Sequence, residues 1–197
     1  MINDEYKKIL RKYHKLSDRH ILVAEADMPY PDVLKVVALS DKIRKAGNEL
    51  VGLVRKNYEQ LMRTKRYRKL LFLYGNTEEK SKRKDLAVQL NGMQKSYNVT
   101  WDYCRTSMIS IGKKYGIDAI FALTKAEDIW RGMEKCLYGN GKTLHFSKHG
   151  DLTCIRAKQI NRGIPISVKD NKLQFKLGRT VFGTVSYTHL TLPTNSS

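Results

Sequence analysis

A stripe of apolar residues, spaced alternately by three and four positions, runs through residues 36–53 and constrains the fold more than any other feature. Its members are Val36, Leu39, Ile43, Ala46, Leu50 and Leu53, and Tyr58, Leu61 and Met62 extend it. This spacing is typical of one face of an α-helix, so the sequence predicts a helix over 32–62. Pro31 suits the first turn of this helix. Proline has a fixed φ close to the helical value, and the N–H group that it lacks would have no partner within the helix at that position.

Weaker helical patterns occur elsewhere in the first two thirds of the chain. They cover residues 3–16, 78–97 and 101–115. Thr124 and Glu127 have the spacing of a capping box, which predicts that a further helix starts there, and Gly139 and Gly141 predict its end. We interpret three acidic residues as helix-start residues favoured by the helix dipole: Asp102, Glu127 and Asp128.

The pattern changes near residue 140. Strand-like runs cover residues 143–146, 152–155, 166–168 and 173–177, and Asp170-Asn171 predicts a tight hairpin. The expected fold is therefore α+β: a helical lobe over 1–139, then a small antiparallel β-barrel over 140–184 that need not be complete. Residues 185–197 contain no Lys, Arg, Asp or Glu and resemble translated sequencing-adapter read-through, so we interpret them as a non-native tail.

The net charge limits the class of partner. The 37 Lys and Arg residues exceed the 19 Asp and Glu residues by 18. Such an excess repels itself unless a polyanion is present. The three cysteines are far apart and odd in number, which argues against a disulfide framework and a thiolate zinc site. The sequence has no signal-like start and no apolar run of membrane-spanning length, so we expect a cytoplasmic protein without membrane contact.

The sequence offers no convincing catalytic or metal-binding group. Carboxylates that could hold magnesium are Glu25, Asp27, Asp102, Glu127 and Asp128, but none follows a convincing buried strand. His145 and His149 lie near Cys154 without the ligand spacing of a zinc site. Glycine loops of the Walker type and GxSxG elbows do not occur in the sequence.

Basic residues form three groups. The first, with Tyr58 and Tyr67 interleaved, comprises Arg55, Lys56, Arg63, Lys65, Arg66, Arg68 and Lys69. The second comprises Lys80, Lys82, Arg83 and Lys84. The third comprises Lys142, Lys148, Arg156, Lys158, Arg162, Lys169, Lys172 and Lys176. Such side chains neutralise phosphates, and tyrosines stack on unpaired bases. A single run would indicate only a solvated face, but three runs with an uncompensated charge favour nucleic acid.

The junction near residue 140 also carries a more specific pattern. Residues 137–146 read Leu-Tyr-Gly-Asn-Gly-Lys-Thr-Leu-His-Phe, 152–158 read Leu-Thr-Cys-Ile-Arg-Ala-Lys, and Gly163-Ile164 follows. This stretch resembles the TnpB-like, OrfB-type proteins of insertion sequences, which are related to type V CRISPR effectors. The sequence departs from the family pattern at Ala157, where glycine is usual, and at Ile160 and Arg162, where polar residues are usual.

The resemblance implies a helical recognition lobe beside a wedge-type β-barrel, which together grip guide RNA and the RNA–DNA duplex. In that family a later RuvC-like domain cuts DNA with magnesium, and its catalytic residues are not present in this sequence. We therefore expect an N-terminal fragment that is inactive alone, needs no cofactor, and binds guide RNA and target DNA. The motif residues that carry over as RNA contacts are Lys142, His145 and Lys158.

Two alternatives remain open at the level of sequence. A nuclease-less relative could repress transcription, or interfere with a CRISPR effector by competing for its RNA. Alternatively, the chain could be a basic helical module that binds proteins. Salt dependence separates nucleic-acid binding from the last class, because binding through phosphates weakens steeply as salt rises.

Overall fold

Helices account for most of the described part of the chain. The computed structural model describes residues 29–139, 141–150, 155–157, 164–169, 172–178 and 180–185. The helices are α1 Tyr30–Arg63, α2 Lys65–Asn76, α3 Lys80–Ser96, α4 Trp101–Tyr115 and α5 Ala119–Tyr138. The strands are β1 Ile166–Lys169, β2 Lys172–Leu177 and β3 Thr180–Val185. The predicted helix over 3–16 and the predicted tail beyond Val185 lie outside the described residues.

The long predicted helix is confirmed as α1. Pro29 precedes it in an extended conformation and Pro31 lies in its first turn, as expected. Ile43, Ala46 and Leu50 are buried, but Leu53 is 39% exposed and Val54 is fully buried instead. The buried face follows the 3.6-residue period from Leu50 to Val54, and this places Leu53 outside the stripe.

The core lies between α1, α4 and α5, which pack against one another. Thr100 caps α4 by accepting a hydrogen bond from the Tyr103 N–H at 3.3 Å, and Asp102 lies in the first turn as predicted. Gly116 ends α4 in the left-handed conformation, with φ of 65°, which glycine adopts without steric cost. None of the described helices combines the length and apolar content needed to cross a membrane.

The start of α5 differs from the prediction. The helix begins at Ala119 rather than at Thr124. The Thr124 hydroxyl donates to the Ile120 carbonyl at 2.9 Å, as a threonine within a helix can do. Phe121 and Ala122 are buried, so the apolar face extends beyond the residues that resembled a capping box. The interpretation of Glu127 as a helix-start residue is therefore wrong, and the same holds for Asp128.

Helices α2 and α3 form a hairpin joined by residues 77–79. The helix α2 was not predicted from the sequence. Tyr67 and Leu70 face the core and Leu71 and Tyr74 are half-buried, so the buried positions follow the i, i+3, i+4, i+7 rule over only two turns. Such a short stripe is easily missed beside a continuous apolar run.

Residues 143–146 do not form the predicted strand. The segment 141–148 is irregular and lies against α1 and α5. Leu144 is buried, and its Cδ2 lies 2.8 Å from the position that a Cβ on Gly132 would take. In the described part of the chain the segment lies beside helices rather than strands, so no neighbouring strand there offers it hydrogen-bond partners. Of the predicted strand over 152–155, only Ile155 is described, and it is not in a strand.

The strands form an antiparallel sheet in the order β1-β2-β3. Lys169 pairs with Lys172, which confirms the hairpin, although its two connecting residues lie outside the described part. Leu177 is buried in the same apolar cluster as the helices. The predominance of helix is confirmed, whereas the described strands form an open meander rather than a closed barrel.

Candidate nucleic-acid interface

The junction between α1 and α2 concentrates positive charge. Thr64 interrupts the helices with an extended backbone, φ −71° and ψ 117°, and α2 starts at the next residue. No Asp or Glu occurs between Glu59 and Glu78. The first turn of α2 contains no acidic residue, so the cations there add to the positive end of the helix dipole instead of offsetting it. We call the following residues the junction patch: Arg63, Lys65, Arg66, Arg68 and Lys69.

All five side chains of the junction patch are exposed. Within the described part of the chain, none of them forms an ion pair with a carboxylate. Cations elsewhere do: Lys35 pairs with Asp32 at 2.7 Å, and Lys45 pairs with Asp41 at 2.9 Å. Hydrogen bonds from Lys45 and then Arg44 lower the pKa of Asp41 to about 2. The charge of the junction patch is therefore available to an external anion.

Tyr67 was predicted to contact nucleic acid with this group, but it belongs to the core. Its side chain is 1% exposed, and its hydroxyl accepts a hydrogen bond from Gln94 Nε2 at 3.0 Å. Burial raises the pKa of the Tyr67 hydroxyl. Its ring cannot stack on a base while the core is intact. The exposed aromatic residue on this helix is Phe72, at 69%.

Arg55 and Lys56 lie about 10–12 Å before Arg63 along α1, at 1.5 Å per residue. The Arg55 guanidinium lies 5.4 Å from the Phe146 ring centroid and 3.6 Å from the Glu59 carboxylate. Lys56 is exposed. Arg55 thus already contacts Phe146 and Glu59 within the protein. Lys56 extends the exposed positive surface toward the 141–148 segment.

The motif residues of the 141–148 segment project outward. Burial of Leu144 and hydrogen bonds to Ser147 hold the backbone, while Lys142, His145 and Lys148 are exposed. Further along, Arg156 forms an ion pair with Asp128 on α5. Lys158 lies outside the described residues, as does Arg162.

The second basic group is partly neutralised. Lys82 pairs with Glu79 at 2.8 Å, and the Arg83 guanidinium lies 4.7 Å from the Tyr74 ring centroid. Lys80 and Lys84 are exposed. This group adds positive charge beside α2, but less of it is available than in the junction patch.

The described carboxylates that we considered for magnesium are each paired with arginine. Asp102 lies 3.6 Å from Arg105, and Glu127 lies 3.3 Å from Arg131. Asp128 pairs with Arg156. Among the residues that the structure describes, no group of three or more His, Cys, Asp or Glu side chains could hold a metal ion. Glu25 and Asp27 lie outside the described residues.

Two described cavities are lined by lysine. A cavity of about 170 Å³ between α1, α5 and the 141–148 segment contains Lys125, whose pKa is lowered mainly by burial. A larger one, about 510 Å³, has Lys35, Lys42 and Lys113 around an apolar floor that includes Phe121. The smaller cavity is also lined by Asp128, His145 and Ser147. The described partners of Asp128 and Ser147 are Arg156 and Asn48 rather than His145, so the described contacts show no nucleophile paired with a base.

The described site is thus an open, basic, largely helical surface that can hold phosphates without reading bases. Comparison with protein-family models, with curated proteins and with solved structures finds no match to this chain.

Proposed function

We propose that this chain is the nucleic-acid-binding N-terminal part of a transposon-encoded, RNA-guided DNA endonuclease of the TnpB-like kind. In this role it grips guide RNA and the RNA–DNA duplex. The junction patch is the observation that carries the proposal. Its five exposed cations pair with no carboxylate among the described residues and so leave a charge that a polyanion would neutralise.

The chemistry of the junction patch favours phosphates over base edges. Three of its members are arginines, whose planar guanidinium groups bind phosphate oxygens in pairs. The surrounding surface is a helix face rather than a recess with fixed donors and acceptors. Contacts of this kind recognise backbone geometry and not sequence, as expected for a protein that holds guide RNA by shape.

The likeness of residues 137–164 to TnpB-like proteins supports the parentage, together with the order of a helical part followed by antiparallel strands. We propose that β1–β3 belong to a wedge-type barrel beside the helices. In this reading, exposed Lys142 and His145 supply further backbone contacts from the 141–148 segment. In this proposal the cleavage of DNA requires a RuvC-like domain, and we expect no nuclease activity from this chain alone.

The charge proposal is tested by two variants of equal net charge. One carries Lys65→Gln, Arg66→Gln and Lys69→Gln in the junction patch. The matched control carries Lys35→Gln, Lys45→Gln and Lys82→Gln, all at lysines that already pair with carboxylates. Filter binding of a structured RNA over a salt series measures the slope of log affinity against log salt. We expect the patch variant to reduce the magnitude of the slope by about 2, from about 0.7 per lost phosphate contact, and the control to reduce it less.

Equal losses in the two variants would show that only the overall charge matters and would contradict a role for the junction patch. Absence of RNA binding by the wild-type chain would favour a protein-binding module instead. Incubation of the purified chain with DNA and magnesium completes the test. Cleavage that stops on chelation would refute the expectation of an inactive chain.

A further inference from the structure

Phe72 is a large apolar side chain at the C-terminal end of the basic face of α2. Its side chain is 69% exposed, whereas that of Phe146 is 50% exposed. Lys65, Arg68 and Lys69 precede it at spacings of seven, four and three, so all four residues share one helix face. The buried Tyr67 and Leu70 and the half-buried Leu71 and Tyr74 lie on the opposite side.

The direction of helical side chains brings this ring toward the cations. A side chain on an α-helix leans toward the N-terminus and covers the preceding turn. For Phe72, that turn carries Arg68 and Lys69. On the other side of Phe72 are Gly75, where an added Cβ would meet nothing within 4 Å, and Asn76, whose amide donates to the Phe72 carbonyl at 2.8 Å. The ring therefore has cations before it and open space after it.

Two other exposed or half-exposed aromatic rings near basic residues are each covered by a cation. Arg55 lies over Phe146, and Arg83 lies over Tyr74. Among the described residues, no cation lies over the Phe72 ring. A cation held over a ring occupies the face on which a base would stack, so Phe72 differs from these two in having both neighbouring charge and an accessible face.

The occupant of such a face is decided by the charge around it. A protein partner that buried Phe72 would also bury Lys65, Arg68 and Lys69, which lack carboxylate partners within the described structure, at a large desolvation cost unless it supplied several acids. A single-stranded nucleic acid supplies both components at once, because its phosphates neutralise cations and its bases present flat apolar faces. In a duplex the bases are already stacked on one another and cannot use the ring.

We infer that Phe72 is a stacking platform for an unpaired base, and that α2 binds single-stranded RNA with Arg68 and Lys69 on the flanking phosphates. This inference rests on the proposed nucleic-acid function and deepens it by naming the form of nucleic acid that α2 selects. Duplex binding uses the cations of the junction patch alone. Single-strand binding uses these cations together with the ring.

The test compares Phe72→Ala with Phe72→Tyr and with a control, Leu73→Ala, which removes an exposed apolar side chain from the same helix. Each variant is titrated with an oligouridine and with an RNA–DNA duplex of equal length. We expect Phe72→Ala to weaken oligouridine binding by about 5- to 150-fold, the range for loss of one base–aromatic stack. Duplex binding should change by less than about twofold. Phe72→Tyr should restore oligouridine binding, and Leu73→Ala should leave both affinities near wild type.

A second readout locates the base directly. Ultraviolet irradiation of a bromouridine-substituted oligomer should crosslink to the peptide that contains Phe72, as mapped by mass spectrometry. Unchanged oligouridine affinity in Phe72→Ala, or equal losses on both nucleic acids, would overturn the inference. If the Lys65, Arg66 and Lys69 variant still lost affinity in that case, the proposed function would stand without the stacking platform. Failure of the wild-type chain to bind either nucleic acid would overturn both proposals.

Discussion

Asn48 on α1 and Ser147 are joined by two hydrogen bonds, and each residue acts once as donor and once as acceptor. Asn48 Nδ2 donates to the Ser147 carbonyl at 3.0 Å, and the Ser147 N–H donates to Asn48 Oδ1 at 2.9 Å. The amide side chain thus gives Ser147 the partners that a neighbouring strand would otherwise provide. This contact fixes the segment that carries Lys142 and His145 to the outside of the longest helix.

Asn48→Ala removes both hydrogen bonds and should destabilise the chain by about 1–3 kcal/mol, since each such bond contributes about 1 kcal/mol net. Urea unfolding measures this loss. Amide hydrogen exchange gives a local readout, because the Ser147 N–H should exchange faster in the variant. Asn91→Ala on the exposed face of α3 is the control and should leave both measurements near wild type. Unchanged protection of Ser147 in Asn48→Ala would contradict the docking described here.

Tyr67→Phe tests whether this residue acts in the core or at the surface. Gln94 is buried and bonded on both sides: its amide donates to the Tyr67 hydroxyl at 3.0 Å, and its carbonyl accepts from the Tyr138 hydroxyl at 2.8 Å. Removal of the Tyr67 hydroxyl leaves a buried donor unpaired, so we expect a loss of about 1–3 kcal/mol in the free energy of unfolding.

Tyr138→Phe is the matched control for that measurement. Tyr138 is 62% exposed, so water can replace its hydroxyl as donor, and the loss should be smaller. Below the unfolding transition, Tyr67→Phe should leave RNA affinity unchanged. A drop in affinity without a drop in stability would instead support the original prediction that Tyr67 contacts nucleic acid.

The parts of the fold that sequence predicts well are those in which a local pattern and the tertiary contacts agree. α1 has a stripe of about seven turns from Val36 to Met62, and α4 has both a capping threonine and a terminal glycine, so their bounds follow closely from sequence. The start of α5 does not follow from the sequence. Thr124 and Glu127 have the spacing of a capping box, but the helix begins before them because Phe121 is buried. Burial depends on α1 and α4, which no local window contains.

Burial, which a local sequence window does not show, also limits what can be predicted of the candidate site. The cations of the junction patch were predicted because lysine and arginine at such density are exposed almost regardless of fold. Phe72 was not predicted, because the sequence pattern drew attention only to the tyrosines interleaved with the cations, Tyr58 and Tyr67. The helical period would have separated Tyr67 from Phe72: Tyr67, Leu70 and Tyr74 share a face from which Phe72 is excluded.

The surroundings of Gly92 and Gly112 predict opposite effects on stability when glycine is replaced by alanine. An added Cβ at Gly92 on α3 would meet nothing within 4 Å, so Gly92→Ala should stabilise the chain by about 0.5–1 kcal/mol through helix propensity. At Gly112 on α4 it would lie 3.0 Å from the Ala122 Cβ, where α4 packs against α5. Gly112→Ala should therefore lower the midpoint of thermal unfolding, while Gly92→Ala should raise it. A rise in both variants would show that the α4–α5 contact is looser than described.

Cys104 should react with alkylating reagents only when the chain unfolds. It is fully buried, and burial raises the pKa of its thiol from 9.0 to about 12. Only the thiolate is nucleophilic, so both access and ionisation protect Cys104 in the folded state. Cys136 is half-buried, and we expect it to label before Cys104. Iodoacetamide labelling followed by peptide mass spectrometry separates the two sites, and labelling in concentrated guanidinium chloride provides the reference at which the rates converge.

The same shift gives a dependence of stability on pH. Because the folded thiol resists ionisation, the unfolded state loses its proton first as pH rises above 9, and stability falls until the folded pKa near 12 is reached. Other groups titrate in this range, so the comparison is with Cys104→Ala, in which this contribution is absent. The difference in unfolding free energy between wild type and variant should shrink as pH rises through this window. A constant difference would mean that Cys104 ionises as readily in the folded chain as in the unfolded one.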